Sequence, residues 1–303
     1  MEIFYQGSNI TDMVEVSRCT IRDTSRNRCD SLEIEFENAA GWYRWGPKED
    51  DTIIVTQSGY TSGIMYVNTI QPENDKYTIF ATSLPCAARR KENRSFIKKT
   101  LGEIIRTCAG YTGMGFGIYG VDKEIVIPYI TQNYESAAAF LCRLMTLEGA
   151  VMKCANGKYV VISNAYIMDS DPALSIALEA GQNGIEHHKL GTATRKVTVR
   201  TPYAEASAID SSVPETHPQI IVNTLPVMDN AQAKRWARGK LLCLNRQCEQ
   251  LDIESVFNPA MTAAVKAEIY GSNEGEWYVE ESVHDLVNLR TASTLRRCVR
   301  TIH

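Results

Sequence analysis

Leu32-Glu33-Ile34-Glu35-Phe36-Glu37 alternates apolar and acidic side chains without a break. Successive residues of an extended chain point to opposite faces, so this stretch reads as a β-strand with one buried face and one wet face. Around it, Met13 to Ile21, Thr52 to Thr56, Gly63 to Ile70 and Lys76 to Thr82 read as further strands. Turn chemistry separates them at Pro47, at Ser58-Gly59 and at Pro72-Glu73-Asn74-Asp75. Short strands in this number predict a small antiparallel barrel or sandwich.

The period then changes. Thr100 and Glu103 have the spacing of a capping box, and Leu101, Ile104, Ile105 and Cys108 follow on one helical stripe that Gly110 ends. A second helix is expected with Asn133 as its cap, Ala137, Phe140, Leu141 and Leu144 on its buried face and Gly149 as its stop. Lys123 to Ile127, Ala150 to Cys154 and Lys158 to Ile162 read as strands, the last two joined by a turn at Ala155-Asn156-Gly157. From about Leu190 the β-pattern resumes around Val197 and Val199. A long helix at 229–245 interrupts it, with Asp229 and Gln232 as a second capping-box pair and Ala233, Trp236, Ala237, Leu241 and Leu244 along one face. Strands return at Gln250 to Phe257, Ala263 to Tyr270, Glu276 to Val283 and Ser293 to Arg300. Pro202 to Pro226 is turn-rich and is the expected projecting loop. No clear repeat links the two β-rich ends, so any duplication would be one of fold.

With 303 residues, 44% of them hydrophobic and 22% charged, the chain can bury a substantial core in two or three units. A net charge of −4 argues against a surface that grips nucleic acid through phosphates. The N-terminus Met1-Glu2-Ile3-Phe4-Tyr5-Gln6 lacks a basic region followed by an apolar run, and no stretch approaches membrane-spanning length, which predicts a protein made in a cytoplasm. The nine cysteines include no C-x-x-C pair and read as reduced thiols, mostly buried.

Chemistry finds little purchase. Gly115-Phe116-Gly117-Ile118-Tyr119-Gly120 matches G-x-G-x-x-G, but a helix precedes it and a strand follows, the reverse of a dinucleotide site. His187 and His188 are adjacent and point apart, which suits a surface or loop role better than a metal site. No residues stand out as catalytic, cofactor-binding or metal-ligating. Trp42 and Trp45, in Gly41-Trp42-Tyr43-Arg44-Trp45-Gly46, are either plugs of the N-terminal core or anchors of a subunit contact.

Three segments together resemble the phage late control protein D family, the hub proteins of contractile tails, whose relatives include the N-terminal part of type VI secretion spikes. The clearest is Gln132, Glu135-Ser136, Phe140-Leu141, Arg143-Leu144 and Glu148-Gly149, which is similar to the helix of the family's middle domain. Ahead of it, Trp42, Trp45, Pro47, Asp51, Ile53-Ile54-Val55, Gly63, Val67, Ile70 and Pro72 resemble the N-terminal barrel. Behind it, Trp277-Tyr278-Val279, Val283-His284 and Thr294-Leu295 resemble the closing hairpin of the second barrel. There the family often has a Val-x-His step and a Gly-Tyr step, where this chain has adjacent Val283 and His284 and then Asn288-Leu289-Arg290.

The resemblance implies an α+β, mainly β chain, with two tube-type antiparallel β-barrel-like domains flanking a mixed α/β middle domain. Its boundaries would be 1–88, 89–188 and 189–303, the last holding the long helix. It further implies a homotrimer without enzymatic activity in the baseplate of a virion or tail-like particle. That ring would adapt a sixfold tail tube above to a threefold spike below, with a tape-measure protein or DNA only as passing cargo in its lumen and no membrane partner. The spike would be a separate polypeptide. Two other readings compete, a tail-associated cell-wall hydrolase and a sixfold tail-tube or distal-tail subunit.

Overall fold

The computed structural model describes residues 1–26, 28–37, 40–178, 184–189 and 191–303; Leu190, where the β-pattern is expected to resume, falls outside them. The first unit comprises β1 (Glu2–Tyr5), β2 (Ser8–Asn9), β3 (Glu15–Thr24), β4 (Ser31–Glu37), α1 (Ala40–Trp45), β5 (Thr52–Gln57), β6 (Tyr60–Thr61), β7 (Met65–Glu73) and β8 (Lys76–Thr82). Its main strands lie in the order β3-β4-β8-β7-β5-β1. The alternation of β4 places Leu32, Ile34 and Phe36 in the core with Ile21, Ile53, Val55 and Ile79. The acidic side chains of β4 face outward, where Arg18 pairs with Glu33 at 2.7 Å and Lys76 with Glu35 at 2.6 Å.

The middle unit contains α2 (Cys86–Arg89), β9 (Lys91–Thr100), α3 (Leu101–Thr112), β10 (Gly115–Tyr119), β11 (Val126–Ser136), α4 (Ala137–Leu147), β12 (Ala150–Ala155), β13 (Lys158–Ser163) and α5 (Asn164–Asp169). The capping box of α3 forms as read: Thr100 accepts from the Glu103 N–H at 3.1 Å, and the Thr100 N–H donates to the Glu103 carboxylate at 2.8 Å. Helix α4 starts later than expected. Asn133 lies in β11, just before Tyr134 at φ +47 in a bulge, and Ser136 is the cap, accepting from the Ala139 N–H at 3.2 Å. The G-x-G-x-x-G stretch forms β10, a strand paired in parallel with β13.

The remainder supplies β14 (Leu174–Leu178), β15 (Gly184–His188), β16 (Lys196–Arg200), β17 (Glu205–Ile209), β18 (Gln219–Val222), α6 (Asn230–Asn245), β19 (Glu249–Val256), β20 (Lys266–Gly271), β21 (Gly275–Asp285) and β22 (Arg290–Arg297). Here two expectations need correction. Residues 202–226 are not simply a projecting loop, since β17 and β18 pair on either side of β16. The boundaries also move. Trp236, Ala237 and Leu241 of α6 share one core with Phe140 and Leu144, together with Val197 and Val199, so 196–245 packs with the middle unit. Strands β14 and β15 instead join β20 and β19 of the C-terminal sheet, because only there do they find ladder partners.

The two β units share one plan. Strands β15-β19-β22-β21-β20-β14 repeat the order β3-β4-β8-β7-β5-β1, with the counterparts also in chain order. Leu32, Ala81 and Val67 lie across the first unit as Leu251, Leu295 and Val279 lie across the second. A β-bulge follows in each, between Val67 and Thr69 and between Val279 and Glu281. Before it, Val67 exchanges backbone bonds with Asp50 and Asp51, and Val279 does so with Ala264 and Val265. Asp50 and Ala264 hold matching left-handed conformations, φ +67 and +68. This register lays Leu32-Glu33-Ile34-Glu35 on Leu251-Asp252-Ile253-Glu254, a four-residue trace of duplication in the sequence itself. The units differ at one edge: β1 runs antiparallel to β5, whereas β14 runs parallel to β20.

Candidate functional site

The two units meet edge to edge. Beyond its bulge β21 leaves β20 and pairs antiparallel with β3, from Glu281 opposite Thr24 to Asp285 opposite Thr20, so one sheet of fourteen strands runs through both units among the described residues. The seam rests on three clusters. At the bulge, Glu280 is 2% exposed and its carboxylate accepts from Arg296 at 2.6 Å, Arg26 at 2.8 Å and Gln247 at 3.1 Å. Burial opposes the Glu280 charge, but Arg296 and Arg26 outweigh it and hold the carboxyl below its ordinary range. The cluster therefore ties the first unit, the end of α6 and the second unit to one anion.

A second cluster joins all three units. Lys153 of β12 pairs with Asp23 of β3 and lies 3.7 Å from Asp30. Asp23 accepts from the Ala263 N–H at 3.2 Å, and Asp30 from the Thr24 N–H at 2.9 Å. Burial, aided by Asp23 and opposed by Lys153, pushes the Asp30 carboxyl up to about 7. Two carboxylates and one ammonium out of water cost too much to persist without such bonds, and removing one partner strands the others.

The third cluster is centred on His284, which the resemblance singled out. It is fully buried in β21, 3.0 Å from the Thr291 hydroxyl through Nδ1, with ring centroids 4.6 Å from Tyr60 and 5.5 Å from Phe257. Burial lowers its pKa, favouring the neutral imidazole. Tyr60 belongs to the first unit and Phe257 to the second, so the ring is a plug at the seam.

The other family-matching residues build the α4 junction. Gln132 donates to the Glu135 carbonyl at 2.7 Å and accepts from the Tyr111 hydroxyl at 2.8 Å, holding the bulge that precedes the helix. Glu135 pairs with Arg143 at 2.5 Å. Phe140, Leu141 and Leu144 are fully buried, with Phe140 stacked on Phe96 at 5.3 Å. Glu148 caps α4 and accepts from Arg235 at 3.0 Å and the Trp236 indole at 2.7 Å, which fastens α4 to α6; Gly149 then turns the chain at φ +71. Gln132 and Glu135 thus lie in β11 just ahead of α4 and Glu148 at its C-terminal end, where their hydrogen bonds brace the junction.

Trp42 is 1% exposed and packs with Tyr5, Phe36 and Tyr77, which makes it a core plug of the first unit; Trp45 is half-buried beside it. His187 and His188 are exposed on β15, bonded to Asp252 at 3.0 Å and Glu186 at 2.8 Å. Among the described residues no group of three His, Cys, Asp or Glu side chains is arranged to hold a metal, and no helix is long and apolar enough to cross a membrane. Of the nine cysteines four are buried, four half-buried and Cys86 is exposed. A groove of about 870 Å³ lies over the seam and is lined by Arg26, Lys189, Asp252, Glu254, Glu281 and Arg296. Its cations and carboxylates are mixed along a sheet face.

Sequence reasoning missed the two ion clusters, whose members are as far apart in the chain as Arg26 and Glu280. One local signal existed: Asp23 takes an inward position of β3 after buried Cys19 and Ile21, where the alternation demands an apolar residue.

No family model and no curated protein matches the chain. Solved structures do. The 43 kDa tail protein of prophage MuSo2 from Shewanella oneidensis superposes with a TM-score of 0.72 at 13% identity, covering 98% of this chain and 97% of that one. A tail protein from Neisseria meningitidis gives a TM-score of 0.75 at 10% identity, covering 98% and 95%. The E. coli c3393 protein, described as a type VI secretion component similar to phage T4 tail proteins gp27 and gp5, gives 0.60 at 9% identity, covering 97% and 76%. The chain therefore has the mainly β, α+β fold of phage tail proteins and of a type VI secretion component, as the resemblance implied.

Proposed function

We propose that this chain is a non-enzymatic baseplate hub subunit of a contractile tail or tail-like particle, a homotrimer that adapts a sixfold tube to a threefold spike. The duplication carries this reading. A chain with two β units of one plan, laid edge to edge, presents six similar units when three copies close a ring. The same ring keeps only threefold symmetry in its middle units, which suits a threefold spike on that side. The neighbours in fold are tail proteins and a type VI secretion component, and the hydrogen bonds of Gln132 and Glu148 brace the ends of α4. A mildly acidic chain also suits a wall past which DNA or a tape-measure protein slides. Native mass spectrometry of the purified chain tests the stoichiometry: three copies are expected, and six would favour a tube or distal-tail subunit. Peptidoglycan turnover abolished by a single Asp, Glu or Cys substitution would overturn the non-enzymatic reading in favour of a hydrolase.

A further inference from the structure

The duplication also indicates how one copy would join the next. Within the chain, the seam is made by the part of β21 beyond its bulge and by the outer edge of β3. Their counterparts are the part of β7 beyond its bulge and the outer edge of β15. Each counterpart is paired on one side only among the described residues: beyond its bulge β7 pairs with β8 but no longer with β5, which it meets only at Met65 and Tyr66, and β15 pairs with β19 alone. Every residue from Asn68 to Glu73 is exposed, with Ile70 at 40%, and Ile185 on β15 is 64% exposed. Each chain thus uses one edge of each type internally and leaves one of each type open.

We propose that Thr69–Glu73 of one copy pairs antiparallel with β15 of a second copy, repeating between chains the β21–β3 seam found within the chain. This deepens the trimer reading and rests on it. The register follows from the equivalences. Thr69 corresponds to Glu281 through the bulge, and His187 corresponds to Arg22 because Gln250 and Ser31, their partners, are themselves equivalent. In the chain Val283 lies opposite Arg22 and His284 opposite Ile21, so Gln71 faces His187 and Pro72 faces Glu186 of the next copy. Ile70 then faces His188, and Glu73 faces Ile185. Pro72 has no N–H to donate, so its position contributes only a carbonyl to the ladder and the seam is shorter by one donor there. The contact is head to tail, with different surfaces on the two sides, and such contacts generate rings when the rotation closes.

The test is a cysteine pair, Gln71→Cys with His187→Cys, in the full chain. Residues directly opposite on antiparallel strands hold their Cβ atoms about 4.5–5.5 Å apart, within a small adjustment of disulfide geometry. Under oxidised glutathione the doubly substituted chain is expected to yield a three-chain product on non-reducing electrophoresis, reverting to one chain on reduction. Gln71→Cys alone and His187→Cys alone, carrying the nine native thiols, should give none. Trimers by native mass without the cross-linked product would overturn the seam and leave the trimer reading standing. A chain that stays monomeric in native mass spectra would overturn both. A product that stops at two chains would also overturn the seam, because head-to-tail edges cannot close a pair.

Discussion

Gly239→Ala sets two opposed effects against each other. Gly239 lies inside α6, where alanine favours the helix by about 1 kcal/mol. At this position, however, α6 crosses the end of α4 so closely that a Cβ would lie 2.1 Å from the Leu147 carbonyl oxygen and 2.7 Å from that of Thr146. Both obstacles are backbone, and the first is more than about 1 Å inside ordinary contact. The helices would have to part, and overpacking of this kind costs about 1–3 kcal/mol. Parting them also stretches the bonds from Arg235 and Trp236 to Glu148, each worth about 1.5–3 kcal/mol because the acceptor is charged.

The clash should therefore win, with a net loss of about 2–4 kcal/mol and a lower denaturant midpoint by circular dichroism. Gly110→Ala in α3 is the control: a Cβ there meets nothing within 4 Å, so only the propensity gain of up to about 1 kcal/mol remains. The two substitutions should shift the midpoint in opposite directions. If both stabilise, the close crossing of α4 and α6 is wrong, and so is the grouping of 196–245 with the middle core.

Two further outcomes are expected. Phe140→Ala, which removes a fully buried ring stacked on Phe96, should cost about 3–5 kcal/mol in equilibrium unfolding, and an unchanged midpoint would contradict its place in the core. Asp30→Asn should change the pH dependence of stability. The Asp30 carboxyl is raised from 3.8 to about 7 on folding, so the folded chain binds this proton more tightly, and stability present below the unfolded value is lost as pH rises through that window. The substitution should flatten this part of the profile in thermal melts between pH 4 and 8; a profile matching the unsubstituted chain would remove Asp30 as its source.

What the sequence discloses follows the range of the interaction that decides each element. The alternation of Leu32 to Glu37 and the capping box of Thr100 and Glu103 are local, and both form as read. The start of α4 is misread because Asn133 has the chemistry of a cap, while the bulge at Tyr134 delays the helix until Ser136. The capping pair of α6 forms by half: Asp229 accepts from the Gln232 N–H, but the Gln232 side chain turns to the Met228 N–H. Residues 202–226 look like a loop because β17 and β18 are short and are joined only through β16. The seam is beyond local pattern altogether, since Arg22 and Glu281 pair across 259 positions.

The equivalent bulges in the two units serve different ends. A bulge bends its strand and releases the next residues from their neighbour, which frees an edge for another partner. In β21 the bulged Glu280 turns inward to Arg26 and Arg296, and this ion cluster ties the end of β3 to β21. In β7 the bulged Asn68 is exposed and accepts from Arg89 at the surface, so nothing buried commits the strand beyond it. The first unit keeps the bulge but lacks the buried anion, and on the hub reading that difference separates a seam made on folding from one made on assembly. A buried carboxylate in an unoccupied edge would be costly in the free chain, whereas the exposed Asn68 and the neutral Thr69, Ile70 and Gln71 are tolerable in water.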